Sequence, residues 1–256
     1  LVVYSLASGV RVDPDTGERY TSVLKPVGES YESKSIDTKQ GEIRDVRVEP
    51  ATEEEIERTV KVMGGEDWQL WMDQLADAGV LAEGATTVAY SYIGPDLTRP
   101  LYRDGTIGRA KEHLEATAKE LSLKLSSIGG KAFISVNKAI VTRASAVIPV
   151  VSLYLAILYR VMKGEGTHEG AIEQMYRLLK DRLYDGDEVP TDEDGRIRLD
   201  DWEMRRDIQE EVSRLWEEVS GQNLEELADV EGLRTDFLQI HGFGFENVDY
   251  EKDVEP

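Results

Sequence analysis

The chain has 256 residues, no cysteine and a formal net charge of −21 at pH 7. Its length suits one large domain or two small ones, and an apolar fraction of 40% is typical of a globular protein. With 51 acidic residues against 30 basic ones, we expect no nucleic-acid-binding face, because such faces need clustered Lys and Arg. The acidity fits either an ordinarily solvated surface or a salt-rich cytoplasm.

The residue inventory also limits the possible chemistry. Without cysteine there is no disulfide, no thiolate metal ligand and no thiol nucleophile. The three histidines, His113, His168 and His241, lie far apart in the sequence and lack metal-ligand spacing, so no metal site is predicted.

The chain opens on an apolar run. Residues 1–7 predict a buried parallel strand covered on both faces. This run lacks the basic segment and the cleavage site of a signal peptide. We expect such a chain to be the C-terminal portion of a longer domain. The first strand should then leave an exposed apolar edge or face.

The next fifty residues are polar and end in two helices. Residues 11–50 carry several turn signals and predict a long excursion over the surface. Thr52 and Glu55 have the spacing of a capping box, which predicts a helix ending at Gly64. A second helix is expected over residues 67–78.

Strands and helices alternate through the rest of the chain. Strands are predicted over residues 86–93 and 132–141, and helices over residues 105–128, 147–163, 168–183 and 202–219. This order predicts an α/β fold with a Rossmann-like, mostly parallel sheet and flanking helices. Ligands of such sheets bind beyond the carboxyl ends of the strands, so functional residues are expected just after Ala7, Ile93 and Val141.

The most apolar segment, residues 144–159, is too short for a membrane span and contains Pro149. We therefore predict a buried or pocket-lining helix and no membrane insertion. Near the C-terminus, His241 to Phe245 predicts a turn that packs Phe243 and Phe245.

Pairs of tyrosine and lysine are the most informative polar feature. A tyrosine hydroxyl can donate its proton to an oxyanion, and a nearby lysine charge favours the phenolate. Three pairs have suggestive spacing: Tyr102 with Lys111, Tyr154 with Lys163, and Tyr159 with Lys163. The last two fall on the apolar helix, which favours core tyrosines and a lysine at the helix end. Tyr102 and Lys111 instead flank a loop that leads into a helix.

The segment from Ser91 to Lys111 resembles the FabV-type enoyl-ACP reductases, also described as trans-2-enoyl-CoA reductases. The hallmark of that family is a tyrosine, eight residues and a lysine, as in Tyr102 and Lys111. Further segments agree in family order: residues 3–8, 62–68, 138–142, 145–149 and 166–170.

The resemblance implies NADH-dependent reduction of the trans-2 double bond of enoyl-CoA or enoyl-acyl carrier protein in fatty acid synthesis. It implies that Tyr102 is the proton donor, that Lys111 binds NADH and that Tyr92 contacts the thioester end of the substrate. Further cofactor contacts are implied, mainly through the backbone, for Leu6, Ala7, Ile140, Val141 and Thr142.

The resemblance also implies that residues 1–256 are a single catalytic domain, the C-terminal portion of a longer reductase. The first βα units, with their glycine-rich pyrophosphate turn and the residue that selects NADH over NADPH, are missing. The full-length protein is expected to be a cytoplasmic monomer. Two alternatives stay open: a short-chain carbonyl reductase that uses Tyr159 and Lys163, and an inactive acidic binding domain.

Overall fold

The computed structural model describes residues 1–5, 8–37, 42–142, 145, 148, 150–186 and 188–253. The strands are β1 (Val2–Tyr4), β2 (Val10–Val12), β3 (Arg19–Thr21), β4 (Tyr31–Asp37), β5 (Glu42–Val48), β6 (Thr86–Ser91), β7 (Lys131–Val136) and β8 (Arg196–Arg198). The helices are α1 (Glu53–Met63), α2 (Glu66–Asp77), α3 (Thr106–Leu125), α4 (Val151–Gly164), α5 (Ala171–Leu178), α6 (Arg206–Glu218), α7 (Leu224–Leu227) and α8 (Val230–Gln239).

The central sheet has the strand order β1-β6-β7-β8, and each of its pairings is parallel. Its middle strands β6 and β7 are largely buried, and helix α3 between them packs on β7. The predicted α/β fold with a parallel sheet and flanking helices is therefore confirmed. In a parallel sheet the carboxyl ends of all strands lie along one edge, which is where ligands of such sheets bind.

Strand β1 is shorter and more exposed than the sequence predicts. It pairs with β6 at the end of the sheet, and Leu1 and Val3 are 52% and 43% exposed. The predicted exposed apolar edge is confirmed, whereas the strand covered on both faces is not found. Leu6 and Ala7 lie outside the described residues.

The first two helices form as predicted. The Thr52 side chain accepts a hydrogen bond from the Glu55 amide, and the Glu55 side chain accepts one from the Thr52 amide. This capping box starts α1, which ends at Gly64. A Cβ atom at Gly65 would overlap with Thr117, so the turn between α1 and α2 lies directly against α3.

Residues 11–50 are not the irregular excursion that their polarity suggests. They contain two antiparallel hairpins, β2–β3 and β4–β5. Strand β4 packs on α4, and its buried positions include Ser35 as well as Ile36. The prediction of an irregular surface excursion was wrong because Ser35, a polar residue, occupies a buried position. This hides the alternation of apolar and polar residues that marks a half-buried strand.

Helix α4 is the buried helix that the apolar segment predicts. Its residues are buried from Val151 to Met162 except Arg160, because β4, α6 and α8 all pack around it. It begins at Val151 and not at residue 147. Among the described residues, no helix has the length and apolarity needed to cross a membrane.

Other predicted elements differ in extent. Strand β7 ends at Val136, because the amide of Lys138 instead donates to the side chain of Gln174. The helix predicted over residues 168–183 is α5 followed by a π-helical turn over Leu179–Leu183. The C-terminal turn forms, and Phe243 packs on the ring of Tyr250 with centroids 5.8 Å apart, but Phe243 and Phe245 both stay exposed and do not enter the core.

We predict that the exposed β1 edge promotes self-association of residues 1–256, since an unpaired apolar edge can pair with a second chain. Val3→Lys should reduce the association, measured as the concentration dependence of mass in sedimentation. Val12→Lys, at an exposed valine outside the central sheet, is the matched control and should leave it unchanged. A wild-type chain that stays monomeric at every concentration would contradict the prediction.

Candidate functional site

Two tyrosines meet at the carboxyl edge of the sheet. Tyr92 directly follows β6, and Tyr102 lies in the loop before α3. Their ring centroids are 5.0 Å apart and the rings are nearly perpendicular, at 88°. Edge-to-face packing of this kind fixes one ring against the other. The structure therefore brings together the predicted proton donor and the predicted substrate-binding residue.

The loop that carries Tyr102 is held tightly against the start of α3. A Cβ atom at Gly108 would overlap with the carbonyl of Arg103, and one at Gly105 would approach the carbonyl of Leu101 at 2.5 Å. The loop can approach the helix this closely only because these positions are glycine. Glycine at positions 105 and 108 thus allows the close contact that places Tyr102 in the core, where it is 7% exposed.

The hydroxyls of the two tyrosines have different surroundings. Tyr92 donates a hydrogen bond to Oε1 of Glu203 at 3.0 Å. The hydroxyl of Tyr102 has no hydrogen-bond partner among the described residues. Burial and the nearby Glu203 carboxylate raise the pKa of Tyr102 above its ordinary value, so its proton is retained at neutral pH. Tyr102 therefore offers an O–H donor at the edge of the sheet.

Lys111 approaches the same strand from α3. Its Nζ donates a hydrogen bond to the carbonyl oxygen of Tyr90 at 3.2 Å. Burial of the ammonium group lowers the pKa of Lys111 to about 8. The loop and helix α3 thus carry both residues: Tyr102 contacts Tyr92, and Lys111 contacts the backbone of Tyr90, two residues before Tyr92.

The segment after β7 forms a compact turn around Ser145. The Ser145 hydroxyl donates to the carbonyl of Ile140 at 3.0 Å and accepts from the amide of Thr142 at 2.8 Å. The amide of Val141 donates to the hydroxyl of Tyr159 at 3.4 Å. Ser145 thus holds Ile140 and Thr142 in place and Tyr159 holds Val141, roles that the sequence analysis did not assign to them.

The described part of this edge fits a ligand that is rich in hydroxyl groups. The hydroxyl of Ser91, at the end of β6, is buried without a hydrogen-bond partner among the described residues. A buried polar atom of this kind costs free energy unless a ligand or water satisfies it. Together with the ammonium group of Lys111, it gives the edge donors suited to a ribose.

The alternative pair, Tyr159 and Lys163, has the character of a core tyrosine and a helix-end lysine. Tyr159 is 1% exposed. Lys163 lies at the solvent-facing end of α4 and forms an ion pair with Asp229, with Nζ and Oδ2 2.6 Å apart. Nζ of Lys163 lies 5.2 Å from the centre of the Tyr159 ring, above its face.

Sequence reasoning missed a buried carboxylate at the centre of the site. Glu203 is fully buried, and its Oε1 accepts hydrogen bonds from both Tyr92 and Tyr154, the latter at 2.6 Å. Its Oε2 accepts one from the amide of Ala139 at 2.6 Å. Burial raises the pKa of Glu203, and these hydrogen bonds oppose that rise. No sequence signal separates this acid from the 50 others.

Lys111 should make the unfolding free energy depend on pH. Its pKa is about 8 when folded and 10.5 ordinarily, so between pH 8 and pH 10 the unfolded chain binds more protons than the folded one. The free energy of unfolding should therefore rise with pH in that window, by at most about 1.4 kcal/mol per pH unit for this lysine. Lys111→Met should make the rise smaller in urea unfolding at a series of pH values. An unchanged slope would contradict the prediction.

Comparison with known proteins gives matches along nearly the whole chain. A family model described as trans-2-enoyl-CoA reductase catalytic region matches residues 1–184. A second, described as enoyl reductase FAD binding domain, matches residues 191–254. An enoyl-[acyl-carrier-protein] reductase [NADH] of Cytophaga hutchinsonii is 58% identical, over 99% of this chain and 64% of that protein. One of Coxiella burnetii is 56% identical, over 100% of this chain and 63% of that protein.

Solved structures agree with this result. The Treponema denticola trans-2-enoyl-CoA reductase in complex with NAD has a TM-score of 0.93 and 56% identity, over 98% of this chain and 63% of that one. The Clostridium acetobutulicum enzyme in complex with NADH has a TM-score of 0.95 and 47% identity, over 99% and 64%. The chain thus spans slightly less than two thirds of the length of these relatives. On its catalytic-region match and these identities, the chain belongs to the trans-2-enoyl-CoA reductase family.

Proposed function

We propose that the full-length protein reduces the trans-2 double bond of enoyl thioesters with NADH, as part of fatty acid synthesis. The observation that carries this proposal is the buried Tyr102, whose O–H is uncommitted among the described residues and lies beside Tyr92 at the carboxyl edge of the sheet. The names of the relatives support the same reaction.

In this proposal Tyr102 donates a hydrogen bond to the thioester oxygen, where negative charge develops as the double bond is reduced. Tyr92 contacts the thioester end of the substrate, and Lys111 binds the cofactor. Bound NADH would supply the hydride for the β-carbon, and the enolate that results would be protonated at its α-carbon, with Tyr102 as the proton donor and solvent restoring its proton. The remaining cofactor contacts are assigned to Leu6, Ala7, Ile140, Val141 and Thr142.

The surroundings of Tyr102 favour this role. A donor aimed at a developing oxyanion in a dry site is worth roughly 2.7–4 kcal/mol, because no solvent competes for it. The apolar helix α4 lies in the same core cluster as Tyr102 and would exclude water from the acyl chain. Residues of α6 and α8 share that cluster, which supports residues 1–256 acting as one catalytic unit.

A flavin does not fit residues 191–254 as they stand. Acidic residues far outnumber basic ones there, which disfavours a pyrophosphate group. The arginines of this segment all lie in ion pairs with carboxylates: Arg196, Arg198, Arg205, Arg206, Arg214 and Arg234. The proposed reaction therefore uses NADH and no flavin. We further propose that the full-length enzyme is a cytoplasmic monomer.

The test is reduction of enoyl thioesters by the full-length protein, followed as loss of NADH absorbance. Trans-2-enoyl-CoA and trans-2-enoyl-acyl carrier protein are compared with a ketone substrate. Oxidation of NADH with either thioester and not with the ketone supports the proposal. Activity on the ketone alone would favour a carbonyl reductase, and a protein that binds no NADH would favour a binding domain.

Tyr102→Phe should lower kcat by about 10²–10³, because it removes one oxyanion donor and keeps the ring. The interaction is made mainly with the developing charge, so KM should change much less than kcat. The measurement is steady-state NADH oxidation with a short trans-2-enoyl-CoA. Tyr90→Phe is the matched control, since this ring packs in a separate apolar cluster, and it should stay near wild type. A Tyr102→Phe enzyme with normal turnover would remove Tyr102 from this role.

The two lysines should differ strongly in the same assay. Lys111→Ala should strongly reduce kcat and weaken NADH binding, because it removes the buried ammonium group beside β6. Lys163→Ala removes a partly exposed ion pair with Asp229 and should leave turnover within a few-fold. Equal losses would instead point to Tyr159 and Lys163 as the reacting pair.

A further inference from the structure

The Glu203 carboxylate joins three separate parts of the chain. Its Oε1 accepts hydrogen bonds from the hydroxyl of Tyr92, which follows β6, and from that of Tyr154, which lies on α4. Its Oε2 accepts the amide of Ala139, which follows β7. All three partners are donors, and their hydrogen bonds favour the ionised carboxylate against the burial that raises its pKa. The group is therefore built into the core as an acceptor.

The backbone and side chains around Glu203 leave it little freedom. Gln209 on α6 donates from Nε2 to the carbonyl of Glu203 at 2.8 Å and to the hydroxyl of Tyr154 at 3.2 Å. Nζ of Lys138 donates to the carbonyl of Ala139 at 2.8 Å, so a positive charge lies close to the same turn. Glu203 is thus held in place by its neighbours, and its hydrogen bonds fix the positions of the groups that it contacts.

The consequence for Tyr92 follows from the chemistry of a phenol. A phenol has one proton, and that of Tyr92 is donated to Glu203. Rotation of the hydroxyl is thereby prevented, and the ring keeps its perpendicular contact with Tyr102. The direction of the Tyr92 oxygen is then set by a residue that is itself fully buried.

We propose that Glu203 is a positioning residue, which holds the hydroxyl of Tyr92 so that this tyrosine can orient the thioester end of the substrate. The proposal rests on the function proposed above. Glu203 takes no proton from the substrate and acts on the substrate through Tyr92, while its contacts with Tyr154 and Ala139 hold the surrounding core. Its loss should therefore affect the enoyl thioester and leave the binding of NADH nearly unchanged.

The test is a double-mutant cycle between Glu203→Gln and Tyr92→Phe in the full-length protein. Glu203→Gln replaces one carboxylate oxygen with a donor, so its hydrogen bonds cannot all persist. It should lower kcat/KM for trans-2-enoyl-CoA by about tenfold, the worth of one hydrogen bond to a charged group. In the Tyr92→Phe background the same substitution should cost less than about twofold. The KM for NADH should stay within about twofold throughout.

A purely structural role would give a different pattern. Glu169→Gln is the matched control, because Glu169 is also buried and pairs with Arg177 away from the tyrosines. Its cost in activity and in Tm should be the same in both Tyr92 backgrounds. If Glu203→Gln unfolds, Glu203→Asp is used in its place. It keeps the carboxylate but, being one methylene shorter, moves it away from Tyr92.

The outcomes separate this proposal from the one on which it depends. Equal losses for Glu203→Gln in both backgrounds, or a loss confined to NADH, would overturn the positioning role while the reductase function stands. A wild-type protein that reduces no enoyl thioester would overturn the proposed function, and the positioning role with it.

Discussion

Parallel pairing of β1, β6, β7 and β8 is the constraint on which the rest of the structure depends. Every strand in such a sheet ends at the same edge, so the residues that follow each strand are brought together whatever their separation along the chain. Tyr92 and Glu203 are 111 residues apart in sequence, yet their oxygens are 3.0 Å apart because one follows β6 and the other follows β8. The site is thus a consequence of strand direction.

Helix α4 turns that edge into an enclosed site. It is apolar on nearly every side, because β4 covers it on one side and α6 and α8 on others. A core of this kind penalises any polar group that lacks a partner, so a buried polar group there is either paired within the protein or, like the hydroxyl of Tyr102, available to a ligand. Tyr154 meets this condition by donating to Glu203, and Glu203 meets it by accepting three hydrogen bonds. Most of the net charge of −21 therefore lies on the surface. Glu203, the carboxylate beside the tyrosines, is buried instead and accepts hydrogen bonds from three donors.

The sequence predicts those parts of the fold that depend on local signals. The capping box at Thr52 and the apolar run of α4 each mark an element that forms. The hairpin β4–β5 escapes prediction because Ser35 occupies a buried position, and β8 because three residues carry too little pattern. At the site, Tyr102 and Lys111 are found through their spacing and the family resemblance. Glu203 is not, because its importance arises only where three distant segments converge.

Two neighbouring tyrosines share one protonation state in this site but differ in where their proton is directed. Both have a raised pKa, so both keep their proton at neutral pH. The proton of Tyr92 is committed to Glu203, whereas that of Tyr102 is available to a developing oxyanion. The raised pKa keeps this proton on Tyr102 until negative charge develops on the substrate, and a nearby positive charge would lower that pKa. Lys111 is the cation that the same loop-and-helix unit provides. Because its own pKa is about 8, this lysine is mostly charged at neutral pH, when the proposed reaction would need it.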